Sequence, residues 1–122
     1  MEDPATSAGQ EVHLPDLFQH FQIRMNIYYV YILTNHGRTV FYTGFTDDLG
    51  RRMYEHKNKL FPGFTARYNC NILLYYEEYE DADEARHREN QVKRYKREWK
   101  RNLVDSINSE WNDLSDQFPF EP

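Results

Sequence analysis

The chain carries one cysteine, Cys70, so it forms no internal disulfide and no cysteine-based zinc site. No apolar run approaches the ~18 residues that a membrane-spanning helix needs. Residues 1–10 have neither a basic start nor an apolar stretch, so no secretory leader is expected there and a cytoplasmic setting is the expectation. Glycine is scarce, with five in 122 residues, and none lies in a phosphate-cradling loop. There is no His-Glu-x-x-His run, and the five histidines are dispersed, which argues against a histidine-based zinc site. Ser7, Ser106, Ser109 and Ser115 lack the strand–elbow context of a serine nucleophile. Apolar residues make up 39% of the chain, below the roughly 45–50% of globular chains (a figure that also counts glycine). Yet 16% are aromatic, including ten tyrosines, and that load argues against a fully disordered chain. The length is that of one domain.

The net charge of −5 looks wrong for a partner of nucleic acid, but its distribution reverses the reading. Acidic residues dominate both ends: Glu2, Asp3, Glu11 and Asp16 against Arg24 in residues 1–24, and Asp105, Glu110, Asp113, Asp116 and Glu121 with no base in 105–122. Residues 86–101 instead hold Arg86, Arg88, Lys93, Arg94, Lys96, Arg97, Lys100 and Arg101 against Glu89 and Glu98, a net +6. A local basic stripe matters more to a phosphate backbone than the global sum, although solvated basic helix faces are also common.

Residues 1–24 read as a polar tail or extension, 25–115 as the compact domain and 116–122 as an acidic tail. Ile27 to Leu33 is β-branched and aromatic without a breaker, a strand apolar on both faces. Asn35-His36-Gly37 marks a turn, Val40 to Tyr42 the returning strand, and Gly44 its close. Thr46 or Asp47 is placed to cap a helix reaching about Lys59, with Leu49, Met53, His56 and Leu60 at helical spacing. Residues 61–70 read as a loop and Asn71 to Tyr79 as a third strand. Asp81 with Glu84 resembles a capping box. The pattern Ala85, Val92, Tyr95, Trp99, Leu103, Ile107 then predicts one long helix, or two with a bend near 94–97. The order gives an α+β class with a small sheet.

Three features sit badly in a bland core. Arg52 lies beside the apolar stripe of the first helix, on one face with His56. Glu89 edges the apolar stripe of the later helix, where a carboxylate needs a cation or a metal. Tyr29 and Tyr31 share a strand face, with Tyr42 on the partner strand. An Arg52–Glu89 salt bridge and tyrosine packing would account for each feature taken singly. Together they describe phenols, a cation and a carboxylate, a set suited to a phosphate ester.

Tyr29-Val30-Tyr31 followed by Tyr42-Thr43-Gly44 resembles the paired signature of the GIY-YIG endonuclease superfamily, its two tyrosines eleven residues apart. Tyr29 stands where the name has Gly, and Thr43 where it has Ile. The run 42–56 is similar to the second motif and its helix, with Arg52 on the catalytic arginine. Glu89, within residues 86–94, falls on the metal-binding glutamate, and the likeness continues through Trp99 and Leu103 to 109–115. It is to the small stand-alone bacterial group of the superfamily.

The resemblance implies a three-stranded antiparallel sheet flanked by helices. It implies a metal-dependent endonuclease cutting DNA, expected in DNA repair or processing, with RNA left open. Tyr31, Tyr42, Arg52, His56 and Glu89 would be catalytic, with one Mg²⁺ or Mn²⁺ on Glu89. The choice of base between the two tyrosines stays open. Lys93, Arg94, Lys96, Arg97, Lys100 and Arg101 are candidate backbone contacts. No additional DNA-binding domain is legible, so selectivity is expected from the domain, a homodimer or a protein partner. Two rival readings are a non-catalytic nucleic-acid-binding module, and an interaction protein in which Arg52–Glu89 is a core ion pair.

Overall fold

The computed structural model describes residues 26–122; the expected tail 1–24 and Met25 lie outside them. Three antiparallel strands form the sheet: β1 (Tyr28–Thr34), β2 (Phe41–Thr46) and β3 (Ile72–Tyr79), in the order β2-β1-β3. Helices α1 (Leu49–Lys57) and α2 (Phe64–Arg67) fall between β2 and β3. Helices α3 (Ala82–Lys93) and α4 (Arg97–Ile107) follow β3, and a single 3₁₀ turn spans Ser115–Gln117.

The central place of β1 explains its unbroken apolar run. Val30 to Thr34 are all buried, because both faces of the strand are covered. Tyr31 and Leu33 point to one face, where they pack with Leu49 and Met53 of α1, Cys70 and Leu73. On the other face Ile32 packs with Leu74, Tyr75, Val92 and Val104, and Val30 packs with Tyr79 and Ala85. The hairpin is tied by Asn35, whose Oδ1 accepts from the amides of Thr39 and Val40 at 2.8 and 3.1 Å.

Several boundaries differ from expectation. β2 continues through Gly44 to Thr46 because the register with β1 runs on, pairing Tyr31 with Gly44 and Tyr29 with Thr46. The cap of α1 is Asp48, whose carboxylate accepts from the Arg51 amide at 3.0 Å, while Thr46 accepts from the Asp48 amide. Helix α1 stops at Lys57, leaving Leu60 exposed. Asp81 caps α3 through the Asp83 amide. Of the two readings of the later helical stretch, the structure has the second, two helices broken within 94–97: Lys96 is extended, with φ −59° and ψ 154°, and α4 restarts in a new phase. Val104 is therefore the buried residue of α4, and Trp99 and Ile107 are exposed.

The C-terminal segment closes the Tyr31 face. Leu114 N donates to Leu73 O at 2.8 Å, and Lys57 Nζ meets Asp113 Oδ2 at 2.9 Å. Within the expected acidic tail, Phe118 packs edge-on to Tyr29 and Tyr76, and Phe120 packs on Tyr54.

Arg88 does not belong to the solvent-facing basic stripe. It is buried against Glu77 of β3, whose side chain is 0% exposed. Arg88 Nε donates to Glu77 Oε1 and Nη2 to Oε2, both at 2.9 Å. Tyr79 OH donates to Oε1 at 2.7 Å, and Tyr75 OH donates to Oε2. Burial opposes the Arg88 charge, but the Glu77 carboxylate outweighs it and raises the guanidinium pKa. The four buried residues of α3 are Ala85, Arg88, Glu89 and Val92, so charge as well as apolar contact docks this helix. Removing either partner leaves the other charged and unpaired in the interior. Glu77→Ala and Arg88→Ala are each expected to cost about 3–5 kcal/mol, read from urea-unfolding midpoints at unchanged slope.

Candidate active site

Gly44 of the edge strand β2 sets the geometry. A Cβ at this position would lie 2.4 Å from Tyr31 Cζ and 2.5 Å from its hydroxyl. The Tyr31 ring therefore crosses directly over the Gly44 backbone, and only glycine leaves room for it. Tyr31 is 1% exposed, and its hydroxyl meets His56 Nε2 at 3.3 Å. His56 Nδ1 meets Thr65 Oγ1, at the start of α2, at 3.0 Å. Tyr42 packs against both rings, with centroids 6.4 Å from Tyr31 and 6.0 Å from His56.

Helix α1 supplies the rest of this wall. Leu49 and Met53 anchor it, and Arg52 and His56 project from its flank. Tyr42, Arg52, Glu55 and His56 line one cleft, with Lys59, Phe61, Phe64 and Thr65 closing it from the 58–67 segment. Gly63, at φ +139°, makes the turn into α2 that brings Phe64 and Thr65 to the cleft.

The Arg52–Glu89 ion pair of the rival structural reading is not formed. Arg52 Nη1 meets Glu55 Oε1 at 3.4 Å on its own helix, and Arg52 remains half-exposed. Glu89 is buried, and its oxygens are met by Arg86 at 3.7 Å and Lys93 at 3.1 Å, both from exposed side chains. Burial raises the Tyr31 pKa, neighbouring Tyr42, Glu89 and Glu55 add to the rise, and Arg52 only partly opposes it. Tyr31 is thus a protonated phenol at neutral pH. Burial and the Arg52 charge together lower His56 to about 4, so its ring is neutral.

Among the described residues no group of three or more His, Cys, Asp or Glu side chains is placed to hold a metal. The residues still fit a magnesium-type ion, which keeps several waters and takes one or two carboxylates together with substrate phosphate oxygens. Glu89, buried and bound to two long, displaceable cations, is the carboxylate of the expected set that can serve.

The expected basic contacts divide. Lys93 lies on Glu89, Arg97 donates to Thr39 O at 2.6 Å and stacks over Phe41, and Arg101 stacks over Trp111. Lys96 rests over Trp99, Arg94 is exposed and Lys100 half-buried. Reading the sequence missed Thr65, Glu55, Phe61 and Phe64. Aromatic residues inside a Pro-Gly loop were the available signal, since loops exposing such residues commonly carry a binding role.

The frame of the site is a small antiparallel sheet whose edge glycine admits a buried tyrosine beside a histidine. A family model described as the GIY-YIG catalytic domain matches residues 27–102, and the chain belongs to that family. Among solved structures, the solution NMR structure of a UPF0213 protein from Bacillus halodurans is 26% identical, with a TM-score of 0.47. That alignment covers 77% of this chain and 99% of the other. No curated protein matches the chain. No helix among the described residues is long and apolar enough to cross a membrane.

Gly44→Ala is expected to push the Tyr31 ring aside, cost about 1–3 kcal/mol in urea unfolding and break the Tyr31–His56 contact, read from their NMR signals. For His56 the folded pKa, about 4, lies below the ordinary 6.5, so the unfolded chain takes up this proton first as pH falls. Its contribution to stability is complete above about pH 6.5 and is lost progressively toward pH 4. An NMR titration of the His56 ring should accordingly show a midpoint well below that of a free imidazole.

Proposed function

We propose that the chain is a divalent-metal-dependent endonuclease that hydrolyses DNA phosphodiester bonds. The observation that carries the reading is the buried Tyr31 hydroxyl, hydrogen-bonded to His56, which lines one cleft together with Tyr42 and Arg52. A tyrosine serving only the core has no need of that surround. Family membership supports nuclease-type chemistry in general.

In this mechanism Arg52 binds the non-bridging oxygens of the scissile phosphate and offsets the charge that develops on them. Both ring nitrogens of His56 are engaged by the protein, so His56 takes a proton from water only through Tyr31. Water donates its proton to the Tyr31 oxygen as the Tyr31 proton passes to His56 Nε2. The water oxygen forms the new bond to phosphorus as the bond to the leaving sugar oxygen breaks, and that oxyanion takes a proton from solvent to depart as a hydroxyl. The relay requires His56 Nδ1–H to donate to Thr65, which leaves the Nε2 lone pair facing Tyr31. The anionic substrate counters the Arg52 charge, the lesser of the two causes of the low His56 pKa after burial, and so moves that pKa upward. Tyr42 positions the phosphate from the cleft wall. Glu89 would hold one Mg²⁺ or Mn²⁺, which supplies charge stabilisation at the leaving oxygen.

Arg94, Lys96 and Lys100 are the proposed backbone contacts beyond the cleft, whereas Arg97 and Arg101 are tied to aromatic rings of the body. A role in DNA repair or processing, in the cytoplasm, and specificity supplied by a second copy or a partner protein, are parts of the same proposal.

The test is cleavage of labelled duplex, single-stranded, flap and branched DNA, and of RNA, with Mg²⁺, Mn²⁺ or chelator. Arg52→Ala and Glu89→Ala should each lower the rate by about 10²–10³-fold while remaining folded, and chelator should abolish it. Salt-sensitive binding without cutting in any condition would overturn the catalytic reading in favour of a binding module.

A further inference from the structure

The 60–68 segment exposes apolar surface beside the cleft. Phe61 is 58% exposed, Phe64 46% and Tyr68 42%. Phe64 and Tyr68 belong to one row. Tyr42 stacks on Phe64 with centroids 6.1 Å apart at 27°, and Phe64 meets Tyr68 at 4.7 Å. The aromatic row thus starts at a cleft-wall tyrosine and runs outward to solvent. Phe61 and Phe64 line the same cleft as Arg52. Exposed aromatic rings in contiguous array mark a binding surface rather than a packing accident.

The charges beside the row indicate the occupant. Lys59 lines the cleft, and the Arg67 guanidinium lies 5.7 Å from the Tyr68 ring centroid. Lysine is depleted from the centres of protein–protein interfaces, whereas aromatic rings alternating with cations suit a strand whose bases stack while its phosphates are neutralised. Intact duplex keeps its base faces internal and cannot offer them to such a row.

We propose that Phe61, Phe64 and Tyr68 form a stacking site for unpaired nucleobases next to the scissile phosphate, and that this site selects single-stranded or locally unpaired nucleic acid over intact duplex. The proposal rests on the nuclease reading for the identity of the phosphate, and not for the stacking itself.

The test uses the full chain in chelator, so that nothing is cut. Binding of a fluorescent oligothymidylate carrying one 2-aminopurine is compared with binding of a duplex of the same length, for wild type, Phe61→Ala, Phe64→Ala and Phe64→Trp. Wild type should quench the 2-aminopurine. Each alanine variant should weaken single-strand binding by about tenfold or more with little change on duplex, and Phe64→Trp should restore it. Phe61, being more exposed, serves if Phe64→Ala disturbs Tyr42. Equal losses on both substrates, or none, overturn the proposal. So does a dimer in sedimentation that Phe61→Ala dissociates without altering oligothymidylate affinity. If the alanine variants lose single-strand binding and quenching while wild type with metal cuts nothing, the stacking site stands and the nuclease reading fails.

Discussion

The ion pair between Glu77 and Arg88 is the interaction on which the arrangement depends. It lies in the layer between β3 and α3, and the tyrosines of the same strand complete the bonding of its carboxylate. Buried pairs of this kind rarely add net stability over an apolar substitute, but they tolerate little change of angle or register. Arg88 and Glu89 are consecutive, so they leave α3 about 100° apart. Fixing Arg88 on Glu77 therefore fixes the rotation of the helix and the direction in which Glu89 is presented. A Leu–Leu contact at the same place would hold the helix without dictating that rotation.

The second constraint is one of space. Arg52 and His56 come from the helix on one side of the sheet, and Glu89 from the helix on the other. Gly44 of the edge strand β2 lets the Tyr31 ring reach across it toward His56. The cleft is thus built around the rim of a sheet rather than in a crevice between layers, which is why a chain of this size accommodates it.

Much of this was legible in the sequence. The apolar run of β1 announced a strand covered on both faces, and the likeness to a known family pointed to Tyr31, Tyr42, Arg52, His56 and Glu89, of which Tyr42, Arg52 and His56 line one cleft with Tyr31 behind it. What was not legible depended on partners distant in the chain. Arg88 looked like one more solvated cation because nothing local to it reveals Glu77, which sits in a strand that otherwise reads as apolar and aromatic. A bend near 94–97 was one of the two readings of that stretch, but one apolar pattern was run through it, so Trp99, which is exposed, was counted in the stripe. Thr65 was passed over because its role comes from a histidine nine residues earlier, across a glycine turn whose φ the sequence does not state.

Cys70 has a further bearing on how this protein ages. Its thiol is buried within the same cluster as Tyr31 and Met53, and burial raises its pKa, so in the folded state it is neither ionised nor reachable. Oxidants and electrophiles will find it only in molecules whose core around Tyr31 has opened, so modification at this position reports opening of that cluster.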